Sequence, residues 1–188
     1  MISLLYYCKI CPCELTSRPK TYYSRTKLRT DPVVSANILT TFYHYKRGHE
    51  LTRTLRYIES VLQDNTYAQR SRYYCSPDIC LYFFTRMLNS SQCPTLQTAL
   101  GPIIRTRVEE RIGLKGTSLD YAMRILCCTA LGLRGCIWER HKLLEMQALD
   151  GAWEEGWMYC YGSFGIKIEN MGVTTALAVK ALERISRW

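Results

Sequence analysis

The residues best suited to chemistry in this sequence are aromatic. Tyr73, Tyr74, Trp157, Tyr159 and Tyr161 fall in two short stretches, and ring faces stabilise cations in a desolvated pocket. Strand-like alternation puts Tyr159 and Tyr161 on one face, as a pair that lines or covers a cavity. The competing reading is that these rings are core or surface packing. The aspartates are scattered: no two of Asp31, Asp64, Asp78, Asp120 and Asp150 are close in the chain, so no clustered-aspartate motif is present. His44, His49 and His141 form no ligand constellation, and His141 lies between Arg140 and Lys142 as on a wet face. Cys8, Cys11 and Cys13 make a CxxCxC cluster that could ligate a metal, but no second cluster completes it. No metal, cofactor or catalytic residue is therefore assigned.

The elements that must position the rings are helical. A chain of 188 residues, 47% hydrophobic and 22% charged, supports a domain with a real core and excludes disorder along its whole length. No apolar run is long enough to span a bilayer, and the start lacks the marks of a signal peptide, so a soluble, cytosolic protein is expected. The net charge of +9 is uneven. Residues 1–30 carry Lys9, Arg18, Lys20, Arg25, Lys27 and Arg29 against Glu14, with Pro12, Pro19 and no helical period. They read as an irregular, basic N-terminal segment ahead of a domain over residues 31–188. Tyr22 and Tyr23 within it make base stacking conceivable, yet a basic face on a folded module is missing and no nucleic acid is expected. Ten cysteines do not make a disulfide framework in a helical chain without a secretion signal; Cys80, Cys127, Cys128 and Cys136 read as small buried hydrophobes.

Asp31 is a good N-cap and Pro32 suits the first position of a helix to about Lys46, with Gly48 supplying a left-handed exit. Leu51, Leu55, Ile58 and Leu62 mark one face of a second helix, packed antiparallel on the first. Ser76 and Pro77 open a third helix. A fourth, from Leu96 to Ile112, must be kinked or divided at Gly101–Pro102. Ser118 caps a fifth, a sixth covers about Cys136 to Gln147, and a last one runs from about Val173 to Ile185. Between these two, alternating aromatics and glycines predict a short hairpin, Met158–Tyr161 against Ile166–Glu169. Seven or so helices in consecutive hairpins, without βαβ alternation, make an all-α protein.

The most informative motif is Gln147, Asp150, Gly151 and Trp153, following Leu143 and Leu144 at a helix end. A Gln side chain there can bond backbone at the helix end, the glycine permits the turn, and the indole packs over it. This Q-x-x-D-G-x-W unit resembles the glutamine–tryptophan repeat of squalene and hopene cyclases. The stretch from Arg29 to Leu55, followed by Tyr73, Tyr74 and Pro77, resembles a helix pair of related fungal and bacterial proteins, and residues 162–182 resemble the re-entry into the next helix. The likeness, to the terpenoid cyclase and protein prenyltransferase superfamily, covers roughly residues 20–188. An unrelated helical bundle with an ordinary helix stop at Gln147 is the alternative.

The resemblance implies a partial α/α toroid of antiparallel helix hairpins and an isoprenoid as small-molecule partner. It further implies that Tyr73, Tyr74, Trp157, Tyr159 and Tyr161 are the rings to consider for that substrate. Class II relatives protonate an alkene or epoxide with an aspartate-rich motif, for which the five isolated aspartates offer no match. The expectation is a truncated or degenerate member, inactive as it stands, whose uncovered apolar faces lead to self-association. A non-catalytic helical-repeat module that binds other proteins is the second reading.

Overall fold

A computed structural model describes residues 30–69, 71, 73–91, 93–154, 156–161 and 165–186. The basic N-terminal segment and the Cys8, Cys11, Cys13 cluster lie outside these described residues. Seven helices and one hairpin follow in order: α1 (Pro32–His44), α2 (Thr52–Gln63), α3 (Pro77–Ser91), α4 (Pro94–Glu109), α5 (Ser118–Leu131), α6 (Ile137–Glu145), β1 (Trp157–Tyr161), β2 (Ile166–Glu169) and α7 (Met171–Ile185).

The helices make two layers. α1, α3, α5 and α7 pack side by side in one row, while α2, α4 and α6 lie behind them, each against the helix that precedes it. Hydrogen bonds fix the directions. Gln97 at the start of α4 donates to the carbonyl of Leu88 near the end of α3, at 2.8 Å, so these two are antiparallel. Arg107 near the end of α4 donates to Leu62 and Gln63 at the end of α2, at 2.9 and 3.0 Å, so α2 and α4 run the same way. α5 and α7 run the same way too, because Gly156 packs against Leu119 at the start of α5 and donates its amide to the Thr174 hydroxyl at the start of α7, at 3.3 Å.

α5 is the centre of the array. Every residue from Ser118 to Cys128 is buried, because the helix is covered by α3, α4, α6 and α7, and a helix enclosed on all sides needs no polar face. The core gathers Val33, Leu39, Ile58, Phe84, Leu100, Ile125 and Leu143, and a smaller cluster of Ile79, Leu119 and Met123 sits under the hairpin. Cys80, Cys127, Cys128 and Cys136 are buried free thiols.

Four local expectations change. Lys46, with φ 60°, takes the left-handed position after α1; Gly48 is instead buried against the Tyr43 ring, where a β-carbon would overlap that ring. α4 is not divided at Gly101 and Pro102 but continues through them. The Pro102 side is exposed, and Thr106 donates its hydroxyl to the Pro102 carbonyl at 3.2 Å. The N-cap of α5 is Thr117, not Ser118: Thr117 and Asp120 exchange side-chain and backbone bonds in a capping box. Finally α6 stops at Glu145, leaving Gln147 in the turn. The caps at Asp31 and Ser76 stand as expected, Asp31 accepting from the amides of Val33 and Val34 and Ser76 from that of Asp78.

Candidate functional site

The turn at residues 147–153 is tied by its own polar groups. Gln147 Nε2 donates to the Gly151 carbonyl at 2.9 Å, and the Trp153 indole donates to the Leu143 carbonyl at 2.7 Å. Gly151 has φ +85°, a left-handed conformation that glycine adopts without strain, and Asp150 accepts from the Ala152 amide at 3.0 Å. Trp153 is buried. The unit clasps the end of α6, and Trp153 donates its amide to Thr175 of α7 at 3.2 Å. These four residues hold helices together and do not line the cavity described below.

Three of the five expected rings come together. Cys160 donates its amide to the Tyr73 carbonyl at 2.7 Å and Tyr74 bridges to Tyr159, so the strand-like residues before α3 are joined to the hairpin. Tyr73 stacks on Tyr159, with centroids 5.8 Å apart and planes within 4°, and Tyr74 meets Tyr159 edge-on at 5.8 Å. The series continues through Phe83, 6.1 Å from Tyr74, to Tyr82 at 5.5 Å from Phe83. All five rings are half-buried. Trp157 and Tyr161 do not join them. Trp157 lies under the Lys167 ammonium, 5.0 Å from its centroid, and Tyr161 is exposed beside Ile166 on β2.

One end of this series opens on a cavity of about 310 Å³ at the N-terminal end of α1, lined by Asp31, Tyr57, Tyr67, Ser71, Tyr73 and Cys80. Burial raises the Asp31 pKa above the usual carboxylate range, against the Ser71 hydroxyl and the Val33 and Val34 amides, which favour the anion. Burial pushes Tyr67 up to about 12, with Glu110 adding to it, and Tyr74 up to about 12 as well. The Cys80 thiol is likewise pushed up to about 12, first by burial and then by Asp31, so it is no nucleophile at neutral pH. The cavity thus offers phenol rings and a single carboxyl group. That set suits an apolar or cationic ligand. Among the described residues no group of histidine, cysteine or acidic side chains could hold a metal ion.

The chain is 38% identical over 162 residues to the drimenol cyclase DrtB of Aspergillus calidoustus. It is thus related to a terpenoid cyclase. The match takes in 86% of this chain and 30% of the relative, so the chain spans under a third of that protein's length. No family model matches the chain, and no solved structure matches it.

Sequence reasoning passed over Asp31 as more than a cap, and Tyr57, Tyr67, Tyr82 and Phe83 altogether. The run Tyr82-Phe83-Phe84 held a signal. Only Phe84 fits the buried face of α3, which leaves its two neighbours to line a different surface. It also passed over a buried charge cluster. Asp78, at the start of α3, accepts from Arg124 of α5 at 3.1 and 2.9 Å and from Arg111 at 3.2 and 2.7 Å. Arg124 continues to Glu139 of α6 at 3.2 Å and to the Leu114 carbonyl at 2.6 Å. Burial works against the Arg124 cation, but its bonds to Asp78 and Glu139 prevail and hold its pKa above the ordinary value. The signal was an arginine inside the apolar stripe of α5, which cannot be buried without acids to meet it. All charges of this cluster are matched within it, so it reads as a fastening and not as chemistry.

Proposed function

We propose that the chain is a terpenoid-cyclase-like protein that handles an isoprenoid, with its two-layered helices forming part of an α/α toroid. The observation that carries this reading is the 38% identity to a drimenol cyclase over 86% of the chain, joined to a half-buried row of rings leading from a cavity. In this reading Tyr73, Tyr74 and Tyr159 are the wall against which an isoprenoid and any cation formed from it rest, because ring faces attract positive charge where water is excluded. Trp157 and Tyr161 are secondary contacts reached from the hairpin. The glutamine–tryptophan turn at Gln147 and Trp153 serves as a brace. The acid that starts a class II cyclisation needs carboxylates acting together, and the aspartates of this chain are isolated, so the chain alone is expected to bind without turnover.

The test is a titration of the full chain with a soluble isoprenoid alcohol, followed by intrinsic fluorescence, with products sought by gas chromatography and mass spectrometry. Saturable binding that weakens in Tyr73→Ala and Tyr159→Ala, without product, is expected. Absence of saturable binding, or binding untouched by both substitutions, refutes the reading and leaves the helical array as a surface for another protein. The exposed apolar side chains Val173 and Val179 on α7 fit that second reading, and they also underlie the expected self-association.

A further inference from the structure

The hairpin leaves one of its edges open. β1 is engaged on both sides: β2 lies along one, and on the other Cys160 donates its amide to the Tyr73 carbonyl and Tyr74 bridges to Tyr159. Among the described residues β2 pairs with β1 alone, and Ile166, Lys167, Ile168 and Glu169 are all exposed. The register fixes which backbone groups face outward. Cys160 turns its amide away from β2, so its cross-strand partner Lys167 turns its own amide and carbonyl away from β1. Two residues on, Glu169 does the same. The open edge therefore presents the backbone groups of Lys167 and Glu169, with Ile168 between them. Such an edge is a template for another strand, and an edge lysine is a common protection. Here the Lys167 ammonium instead lies back over the Trp157 ring of β1, 5.0 Å from its centroid.

We infer that β2 is an interaction edge for a second copy of this chain, the two β2 strands pairing antiparallel about a two-fold axis at Ile168. Charge selects this occupant and this register. The outward groups of two copies can meet as Lys167 on Lys167, as Glu169 on Glu169, or as Lys167 on Glu169. The first two set like charges directly opposite, which destabilises a sheet, while the third sets opposite charges across the seam twice. In that alignment Lys167 of each copy exchanges both backbone hydrogen bonds with Glu169 of the other, and Ile168 faces its counterpart in the closer, non-hydrogen-bonded position. The contact is isologous and closes at two copies. Ile166 and, at the start of α7, Met171 are exposed apolar side chains beside the seam. Pairing along so short a strand falls below the area of a standard interface, so the dimer is weak and forms at micromolar concentration. The inference does not depend on whether the cavity beside Asp31 takes an isoprenoid.

The experiment is sedimentation equilibrium of the full chain across micromolar concentrations. A reversible equilibrium between monomer and dimer is expected. Lys167→Glu and Glu169→Lys each place like charges across the seam and should weaken the dimer about tenfold. Both side chains are exposed, so the circular dichroism of the variants should match the parent. An equimolar mixture of the two variants sets opposite charges across the seam again and should associate as tightly as the parent, as a heterodimer. Val179→Lys, on the exposed face of α7, should leave the equilibrium unchanged. The inference is overturned if the chain stays monomeric, if it forms larger species indifferent to both charge reversals, if Val179→Lys dissociates the dimer, or if the mixture fails to recover association.

Discussion

Arg124 offers the sharpest test of how the layers are fastened. Its side chain is 1% exposed and lies between Asp78, also 1%, and Glu139, 0%. Replacing it with methionine keeps much of the volume and removes four hydrogen bonds. Asp78 retains Arg111, whose side chain is 21% exposed. Glu139 retains only the Gly113 amide at 2.6 Å, and its second oxygen already lacks a partner. Removing one member of a buried ion pair typically costs about 3–5 kcal/mol. Since Arg111 still serves Asp78, the lower end, about 3 kcal/mol, is the expectation. With a urea slope of about 1–3 kcal/mol/M, the midpoint should fall by about 1–3 M in equilibrium unfolding followed by circular dichroism. The stranded Glu139 charge makes much of that loss, so Arg124→Met with Glu139→Gln should recover part of it, a coupling of about 1 kcal/mol or more. A loss under about 1 kcal/mol for Arg124→Met, or strict additivity in the double variant, would refute the closed charge cluster.

The remaining predictions concern the cap, the turn and the thiols. Asp31→Asn preserves the cap and removes a carboxylate that burial makes costly to ionise, so it should match or exceed the parent in stability at pH 7, whereas Asp31→Ala should lose about 1 kcal/mol. Because the folded pKa of Asp31 lies above its unfolded value near 3.8, the parent loses stability as pH rises from that value through the folded pKa, and the gap to Asp31→Asn should close in acid; a gap independent of pH contradicts the burial argument. Trp153→Phe removes the bond to the Leu143 carbonyl and should cost about 1–3 kcal/mol, and Trp153→Ala about 3–5 kcal/mol, by thermal melting. In native protein at pH 8, maleimide should spare Cys80 and Cys127, both pushed up to about 12 by burial, while half-buried Cys75, Cys93 and Cys160 react faster. Equal labelling in peptide mass spectra would mean that α3 and α5 open readily.

Much of the fold is legible because the helices announce themselves locally. Asp31–Pro32 and Ser76–Pro77 are starts that no distant contact has to supply, and the alternating residues around Tyr159 find a strand partner just across the turn. What was misplaced depends on neighbours far along the chain. Gly48 is there because the Tyr43 ring leaves no room for a β-carbon, not for a left-handed exit. α4 passes through Pro102, whose ring lies on the exposed side of the helix. The rings divide the same way. Tyr159 and Tyr161 share a face by alternation, but only the inner one reaches the Tyr73 strand, which lies 82 residues away at the Cys75–Trp157 bond; nothing local to Tyr161 distinguishes it.

The buried charge cluster and the ring row occupy different parts of the helix array. An array of helix pairs buries a continuous core between its layers, and its separate helices must be kept in register along that core. The Asp78, Arg111, Arg124 and Glu139 cluster does this at one end, linking α3, α5 and α6 through side chains of which only Arg111 keeps some exposure. A fastening needs its charges cancelled from within, since any excess would be stranded away from water. Tyr73, Tyr159, Tyr74, Phe83 and Tyr82 remain half-covered. Their partial exposure beside the cavity at Asp31 is what the proposed isoprenoid wall requires.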